Sequence, residues 1–418
     1  MWSPSRRSDS AADNNPSNKW RSTVRVGLVT IDNPRDALAK AIDLCAGFEG
    51  LRPDSRILIK PNLVVGAHRK SGTEPGSVTS AAIIEGMVQL LRERGCTRIA
   101  VGEGSIVLEE FALDTDLAFR SSGIAAVAQK YDVELVDFHA GPSERVELGD
   151  SSVRVATRAL ETDFFINMPV MKTHAQTKVS LGLKNLKGCL DLPSRKKFHD
   201  KLDLEQSIAL LASQIPVHLT IIDGTYGLRH GPYGGDVVPI NVVIAGKDRL
   251  SVDIVGSLVM DIDPRTVHHL GLYAQLIGRV VDPESLDVCG ESIERVAKTV
   301  EWTFDWGPEP VRKHAVEGVL IETPGNSVCS GCSILLSAAL NKFLAENKGA
   351  RFDDVEICMG KEPIAKESSK QVVLLGKCPI FSNKDRKDAI RVKGCPPSMH
   401  DVYEVLKATL LDGAARSS

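Results

Sequence analysis

The sequence predicts an α/β fold, with a mostly parallel sheet covered by helices in a large N-terminal domain and a smaller α/β domain at the C-terminus. Short apolar, β-branched runs alternate with segments that carry apolar side chains at helical spacing, which is typical of βαβ units. The chain has 418 residues, 43% of them hydrophobic, enough for two or three domains with ample cores. Irregular sequence rich in Trp, Pro and Gly near residues 302–325 separates the two domains.

The predicted strands of the large domain are short apolar runs, and they cover residues 24–30, 56–65, 98–101, 133–138, 164–167, 219–223 and 237–245. The predicted helices repeat apolar side chains every three to four positions, and they cover residues 34–48, 78–94, 116–131, 203–214, 251–260 and 265–276. Gly95 ends the second helix. In the small domain the same patterns predict a helix at 334–347, strands at 354–359 and 371–375, and a closing helix at 399–410.

The N-terminal segment and the overall composition indicate where the protein acts. The first 22 residues are rich in Ser, Asn, Asp and Arg and lack the apolar core of a signal peptide, so they predict a disordered tail. The domains then span residues 23–310 and 311–418. No apolar run reaches transmembrane length, so we expect a cytoplasmic protein without a membrane partner. A net charge of −3 and 5% aromatic residues argue against nucleic acid as a partner.

Four of the nine cysteines lie near the C-terminus in settings typical of metal ligands. Cys329 and Cys332 form a C-x-x-C pair, Cys378 precedes a proline, and Cys395 lies between Gly and Pro. Four thiolates can hold a [4Fe–4S] cluster or zinc. We favour the cluster because zinc ribbons usually supply a second C-x-x-C pair, and zinc is the alternative. A disulfide is not expected, because thiols in the cytosol stay reduced. Cys358 falls inside a predicted strand and is not counted among the metal ligands, although it could replace one of the four cysteines.

The cysteine motifs resemble the proximal-cluster region of the small subunit of nickel–iron hydrogenases and its relative in respiratory complex I. In those proteins a C-x-x-C, a Gly-x-Cys and a Gly-Cys-Pro hold a [4Fe–4S] cluster. The spacings differ here, so the resemblance implies a ligand set and not a hydrogenase.

A second group of polar residues follows the predicted strands of the large domain. Because the carboxyl ends of parallel strands meet at one edge of a sheet, we expect these side chains to form one site. Residues 172–201 contain eight Lys or Arg against two Asp, which indicates an anionic ligand. Within that segment we interpret Arg195, Lys196 and Lys197 as a solvated basic loop. The candidate catalytic residues are Glu103, Lys172, His174 and Lys184, and the candidate substrate-binding residues are Lys60, Asn62, Thr73, Asn185, Lys187 and Asp223.

Several of these segments occur in the order typical of a known family. They are residues 59–64 (Ile-Lys-Pro-Asn-Leu-Val), 102–105 (Gly-Glu-Gly-Ser), 167–174 (Asn-Met-Pro-Val-Met-Lys-Thr-His), 180–188 (Ser-Leu-Gly-Leu-Lys-Asn-Leu-Lys-Gly) and 244–253. Over residues 55–280 the chain thus resembles the family catalogued as domain of unknown function 362 (DUF362). Members of this family are frequently joined to iron–sulfur segments, which agrees with the cysteine motifs. The chain lacks the ferredoxin-type run of closely spaced cysteines that many members carry, so a two-cluster module is not implied.

A weaker likeness is to nickel-dependent lactate racemases, which have a His followed by a Lys that holds a nickel-pincer cofactor. His174 and Lys184 stand in a comparable relation, with Gly182 between them. The adjacent Gly-Gly and the other histidine motif of the racemases are not evident. The likeness therefore implies a shared architecture and the same pocket, but not the same cofactor.

The sequence thus predicts a cytoplasmic iron–sulfur protein, an oxidoreductase acting on an anionic small molecule and using one [4Fe–4S] cluster to pass electrons. Two alternatives remain. One is a non-redox enzyme of racemase or lyase type with a structural metal site. The other is an electron-transfer or maturation protein that docks on a redox partner. Gly102-Glu103-Gly104 lacks the third glycine of a dinucleotide fingerprint, so nicotinamide binding is not implied.

Overall fold

The computed structural model describes residues 24–63, 75–109, 112–200, 202–232, 236–302, 308–323, 327–361 and 363–414. The predicted disordered tail lies outside these residues. In the described part the strands are β1 (Arg25–Thr30), β2 (Ile57–Pro61), β3 (Ile99–Glu103), β4 (Glu134–Asp137), β5 (Ser143–Leu148), β6 (Ser151–Ala156), β7 (Phe164–Met168), β8 (Val170–His174), β9 (Lys178–Ser180), β10 (Leu219–Leu228), β11 (Val237–Gly246), β12 (Asp287–Gly290), β13 (Glu317–Glu322), β14 (Arg351–Met359), β15 (Gln371–Leu375) and β16 (Ile390–Val392).

The helices in the same residues alternate with the strands for most of the chain. They are α1 (Pro34–Leu44), α2 (Ala81–Glu93), α3 (Thr115–Ser121), α4 (Ile124–Tyr131), α5 (Thr157–Leu160), α6 (Gly182–Asn185), α7 (Leu192–Asp200), α8 (Leu204–Gln214), α9 (Arg249–Val259), α10 (His268–Leu276), α11 (Ile293–Val296), α12 (Pro308–Lys313), α13 (Ser330–Glu346), α14 (Lys377–Ser382) and α15 (Met399–Ala414). Short 3₁₀ helices cover Leu186–Cys189, Pro264–Thr266 and Pro283–Ser285.

The large sheet has the order β12-β1-β11-β10-β7-β2-β3-β4, and β8 and β9 extend it from β10. Strands β7, β2, β3 and β4 pair in parallel, whereas β11 is antiparallel to both β1 and β10. Strands β2, β3 and β7 are buried along their whole length, as expected for strands covered on both faces. The predicted α/β fold with a mostly parallel sheet is therefore confirmed.

The second sheet is formed by the C-terminal part of the chain. It has the order β13-β14-β15-β16, and all three pairs are parallel. Helices α13 and α15 supply apolar side chains such as Leu336, Phe343 and Leu406 to a core that also includes Ile357 and Val373. Among the described residues, no helix of either part is both long and apolar enough to cross a membrane.

Three local predictions differ from the structure. The helix predicted at 116–131 is divided into α3 and α4 by Gly123, which has φ +81°. A left-handed residue cannot continue an α-helix, and glycine adopts that conformation without a steric cost. The β5–β6 hairpin and the strands β8 and β9 were not predicted, because their sequences mix polar and apolar residues without a clear period. The segment predicted to be a basic loop around Arg195 is helix α7.

Candidate active site

Three neighbouring parallel strands bring polar side chains to one edge of the large sheet. In the register of the sheet, Lys60 of β2 lies opposite Asn167 of β7, and Ile59 of β2 lies opposite Val101 of β3. Strand β3 continues for two residues and ends at Glu103. The carboxyl ends of β2, β3 and β7 therefore lie side by side, as expected for a ligand site of an open α/β sheet.

Lys60 and Glu103 form a buried ion pair at this edge. Lys60 Nζ lies 3.0 and 2.9 Å from the two carboxylate oxygens of Glu103, and both side chains are almost completely buried. The carboxylate also accepts hydrogen bonds from the backbone N–H groups of Leu63 and Gly104, at 3.0 and 2.9 Å. The two charges match each other, and the predictions that Lys60 binds a substrate and that Glu103 is catalytic stay predictions.

Asn185 of α6 joins the three strand ends. Its Nδ2 group donates to Asn167 Oδ1 at 2.8 Å and to Pro61 O at 3.2 Å, while its Oδ1 accepts from Asn62 Nδ2 at 3.0 Å. Asn62 Oδ1 is buried and has no hydrogen-bond partner among the described residues. An unpaired buried acceptor is costly, so this oxygen is well placed to accept a hydrogen bond from a ligand.

An open cleft with an empty volume of about 940 Å³ lies over these residues. Four basic side chains line it, together with the paired Glu103, and they are Lys184, Lys187, Arg195 and Lys196. The cleft is therefore positively charged, which favours an anionic ligand. Of the predicted site residues, the cleft is lined by Asn62, Glu103, His174, Lys184, Asn185 and Lys187.

Lys184 is the basic residue of the cleft with the clearest capacity for proton transfer. Burial, followed by the charge of the nearby Arg195 guanidinium, lowers the pKa of Lys184 to about 7. Its Nζ lies 3.5 Å from Ser180 Oγ, and no described carboxylate forms an ion pair with it. A lysine with such a pKa is present both as an amine and as an ammonium ion near neutral pH, so it can accept or donate a proton.

Asp253 of α9 holds the beginning of α6 in place. Its two carboxylate oxygens accept hydrogen bonds from the backbone N–H groups of Gly182 and Leu183, at 2.7 and 2.8 Å. Burial raises the pKa of Asp253 to about 7, against the opposing effect of these two hydrogen bonds. Asp253 was not among the predicted site residues, although it supports the turn that carries Lys184 and Asn185.

Arg195 was predicted to be solvated, and this prediction is wrong. Its guanidinium group donates hydrogen bonds to the carbonyl oxygens of Gly104 and Ser105, the latter at 2.7 Å, and it lines the cleft. Burial lowers the pKa of Arg195. The spacing of Arg195 and the buried Phe198 is a signal that could have identified its position, because residues three apart share one face of a helix.

Three predicted site residues do not line the cleft, and they are Lys60, Lys172 and Asp223. Lys172 is fully buried in β8 and its Nζ donates to Ser77 O at 2.8 Å. Burial lowers the pKa of Lys172 well below its ordinary value. Asp223 accepts hydrogen bonds from the backbone N–H groups of Ser80 and Thr225, and it lines a different cavity. Thr73 lies outside the described residues.

The four predicted metal ligands line a single cavity in the small domain. Cys329, Cys332, Cys378 and Cys395 surround an empty volume of about 350 Å³ together with Lys361 and Lys377. Cys329 and Cys332 lie at the beginning of α13, which follows β13, whereas Cys378 lies in α14 just after β15 and Cys395 follows β16. All four thus follow the carboxyl ends of parallel strands. None of the nine cysteines, which all lie in the described residues, forms a disulfide bond.

The local electrostatics distinguish Cys329 from Cys332. The Cys332 thiol, the backbone N–H groups of Gly331 and Cys332 and the charge of Lys187 together lower the pKa of Cys329 to about 6. The pKa of Cys332 is raised instead, because it donates to Cys329 and lies near the sulfurs of Cys378 and Cys395. Cys358, by contrast, is buried in β14, and burial raises its pKa to about 12.

The chemistry of the four thiols suits a metal centre. Four cysteine sulfurs are the ligand set of a [4Fe–4S] cluster and also of structural zinc. Among the described residues, no group of three or more His, Cys, Asp or Glu side chains is arranged to hold one metal ion. The choice between cluster and zinc therefore stays a prediction.

The strands that form this edge of the large sheet lie within the part of the chain that matches a known family. Residues 57–257 match the family described as domain of unknown function (DUF362). A thylakoid-associated protein of Synechocystis sp. is 26% identical over 230 residues, which cover 52% of this chain and 66% of that protein. The lactate racemase apoprotein of Thermoanaerobacterium thermosaccharolyticum covers 60% of this chain, with a TM-score of 0.38 and 11% identity, over 59% of its own length.

The predicted resemblance to DUF362 is therefore confirmed over residues 57–257. This range includes every candidate residue of the cleft in the large domain. It ends before the four cysteines, so the likeness of the cysteine motifs to the hydrogenase small subunit stays a prediction.

Proposed function

We propose that the protein is an oxidoreductase that acts on an anionic small molecule and holds one [4Fe–4S] cluster. Cys329, Cys332, Cys378 and Cys395 would bind the cluster. The observation that carries the proposal is that Gly331, which lies between the first two ligands, also lines the basic cleft. The cysteine cavity and the cleft are therefore immediate neighbours.

The residues between the two cavities support electron transfer from the cysteine cavity to the cleft. Lys187, which lines the cleft, lies close enough to Cys329 to lower the pKa of that thiol, while burial lowers the pKa of Lys187 itself. Cys329 begins helix α13, so free backbone N–H groups of that helix face the sulfur and stabilise negative charge on it. A bound cluster supplies single electrons at this position.

The cleft supplies the groups that bind the substrate and move its proton. Arg195 and Lys196 provide charge for a carboxylate or phosphate group, with the Arg195 guanidinium fixed by two backbone carbonyls. Lys184 and His174 line the same cleft and can transfer a proton when the substrate gains or loses electrons. Asn62 Oδ1 accepts a hydrogen bond from the substrate and orients it.

The test is reoxidation of the reduced protein by small anions. Protein purified without oxygen is reduced, the reductant is removed, and carboxylates and phosphate esters are added while the absorbance at about 400 nm is followed. We expect one class of anion to restore the absorbance. In the Lys184→Met and Arg195→Met variants this recovery should slow by about 100-fold, because charge and proton transfer are lost, with unchanged iron content.

Lys40→Met is the matched control, since Lys40 is exposed on α1 and lies away from the cleft. It should behave as the original chain does. Equal recovery in the control and in both cleft variants would contradict the proposal, because the anion would then react without using the cleft.

A second candidate is a non-redox enzyme of racemase or lyase type with a structural metal site. It is favoured by the presence of Lys184 and His174 in one cleft, since two proton-transfer groups suffice for proton abstraction. The two candidates differ in their dependence on Cys395. Exchange of substrate hydrogen for deuterium that persists in a folded Cys395→Ser variant would favour the non-redox enzyme, whereas loss of turnover favours the oxidoreductase.

We propose the cytoplasm as the location, because reduced thiols remain available there as cluster ligands. The Synechocystis relative is thylakoid-associated, and this raises the alternative of a peripheral attachment. Fractionation of cells, followed by a salt wash of the membranes, distinguishes the two locations.

A further inference from the structure

A surface patch of the small domain combines exposed apolar side chains with basic ones. Phe381 is 78% exposed and Ile364 is 77% exposed, and among the described residues these are the most exposed of the large apolar side chains. Exposed aromatic residues of this kind are enriched in protein–protein interfaces. Phe381 and Ile364 therefore form the apolar centre of this patch.

Hydrogen bonds hold the two apolar residues on neighbouring segments. Asn383 Oδ1 accepts from the backbone N–H of Ala365 at 2.8 Å, and Asn383 Nδ2 donates to Pro363 O at 2.7 Å. These contacts fix both neighbours of Ile364 to a residue two positions after Phe381. The two exposed side chains thus belong to one local surface.

This surface lies directly beside the cysteine cavity. Phe381 belongs to α14, which also contains Cys378 three residues earlier. Lys361 and Lys377 line the cysteine cavity, and each lies within four residues of one of the two exposed apolar residues. A protein bound over Phe381 would therefore come close to one of the proposed cluster ligands.

The patch carries a strong local excess of positive charge. Residues 361–393 contain nine Lys or Arg against four Asp or Glu, although the net charge of the whole chain is −3. Four exposed lysines in this segment form no ion pair with any described carboxylate, and they are Lys377, Lys384, Lys387 and Lys393. Unpaired basic residues around an apolar centre fit an acidic protein surface.

We propose that this patch is the docking site for a small acidic electron-carrier protein, and this proposal rests on the proposed function. In the transfer step one electron leaves the carrier, which is oxidised, and reduces the [4Fe–4S] cluster. No bond forms or breaks, and no proton needs to move. Phe381 and Cys378 lie three residues apart in α14, so the electron would have a short path from the patch to the cysteine site.

The geometry favours a protein over a membrane as the occupant. Helices that lie in a membrane surface present a long apolar face, whereas α14 has six residues and one fully exposed aromatic side chain. Charge complementarity with an acidic carrier needs no such face. Stronger binding to anionic lipid than to a protein would therefore contradict the proposal.

The experiment measures binding of the full chain, purified without oxygen, to an acidic [2Fe–2S] ferredoxin. We expect binding that weakens by about 10-fold or more between roughly 0.02 and 0.3 M salt. Lys384→Glu combined with Lys387→Glu should weaken binding by about 10-fold, and Phe381→Ser by about 5-fold or more. Iron content and reduction by dithionite should stay unchanged in both variants.

Two matched controls make the same changes elsewhere. Lys40→Glu alters an exposed lysine of the large domain, and Val280→Ser removes an apolar side chain that is 73% exposed. Neither should affect ferredoxin binding. Equal affinities in the patch variants and the controls would overturn the proposal, as would stronger binding to phosphatidylserine vesicles than to ferredoxin. A chain without iron that still binds ferredoxin through Phe381 would contradict the proposed function and leave the docking site supported.

Discussion

At the scale of single residues, the edge of the large sheet is governed by how buried charges are matched. Lys60 and Glu103 neutralise each other away from solvent, and Asn185 satisfies the backbone carbonyl of Pro61 beside them. Removing one partner of such a pair leaves an uncompensated charge in a region of low polarity. Glu103 and Asn185 of this network line the cleft, beside the basic side chains of Lys184, Lys187 and Lys196.

Glu103→Ala should destabilise the large domain strongly. The loss of a partner from a buried ion pair costs about 3–5 kcal/mol, so the thermal midpoint should fall by at least about 6 °C. Glu284→Ala is the control, because Glu284 pairs with Arg265 on the exposed surface. Its midpoint should stay close to that of the original chain, and an equally small change for Glu103→Ala would show that the Lys60 charge is met in another way.

The pKa of Lys184 predicts how anion binding depends on pH. The side chain is charged below about pH 7 and neutral above it, so an anion in the cleft should bind more weakly as the pH rises through that value. Oxalate is a suitable probe because its own charge is constant in this range. Calorimetry at about pH 6 and pH 8 should show affinities that differ by about 5- to 10-fold.

In Lys184→Met the pH dependence of oxalate binding should become shallower. Lys196→Met is the matched control, since it removes a basic residue that lines the same cleft and leaves Lys184 in place. Lys196→Met should weaken oxalate binding without changing how the affinity depends on pH. A slope that is the same in Lys184→Met as in the original chain would assign the titration to another group.

At the scale of elements, regular patterns were predicted well and local contacts were not. The strands around Ile59, Val101 and Ile166 follow from uninterrupted apolar runs, and the helix around Ile84 follows from its spacing of apolar residues. The break at Gly123 was missed because the apolar spacing continues through it. Tertiary contacts, which a periodicity does not contain, determine such breaks.

The turn after α6 depends on close packing at Gly188. A Cβ atom added there would clash with Glu103 Oε1 and lie 2.6 Å from Lys60 Nζ. Gly188→Ala should therefore push the ion pair apart and cost about 1–3 kcal/mol, with a lower thermal midpoint and weaker oxalate binding. The matched control is Gly271→Ala in α10, where the added Cβ meets nothing within 4 Å.

Gly271→Ala should raise stability by about 0.5–1 kcal/mol, because alanine favours a helix more than glycine does. Both changes add one methyl group, so their opposite signs isolate the effect of the site. A midpoint for Gly188→Ala that matches or exceeds that of Gly271→Ala would contradict the packing described at the cleft.

At the scale of the whole molecule, the sequence could predict which strand ends carry polar residues, but not which of those residues face a ligand. Lys172 and Lys184 both interrupt apolar sequence, yet Lys172 is held by Ser77 inside the protein and Lys184 lines the cleft. Arg195 lies in a run of three basic residues, and its contact with Gly104 joins segments that are 91 positions apart in the chain. Such differences depend on contacts between segments that are distant in the chain.

The two sheets contribute to adjoining cavities, and this proximity gives the four cysteines their proposed role. Lys187 of the large domain acts on the Cys329 thiol, and Gly331 of the small domain lines the cleft. The cysteine motifs predicted four candidate ligands, whereas the position of these cysteines next to the cleft could not be predicted from their spacing. A redox cofactor held by the four cysteines would lie next to an anion bound in the cleft.

The most direct measurement is the iron, sulfide and zinc content of protein purified without oxygen, with visible spectra before and after dithionite. We expect about four irons and four sulfides per chain and a band at about 400 nm that dithionite bleaches. Cys378→Ser and Cys395→Ser should lose this absorbance, while Cys358→Ser should keep it. One zinc per chain without colour would instead make the cysteines structural and leave the cleft to account for the activity by itself.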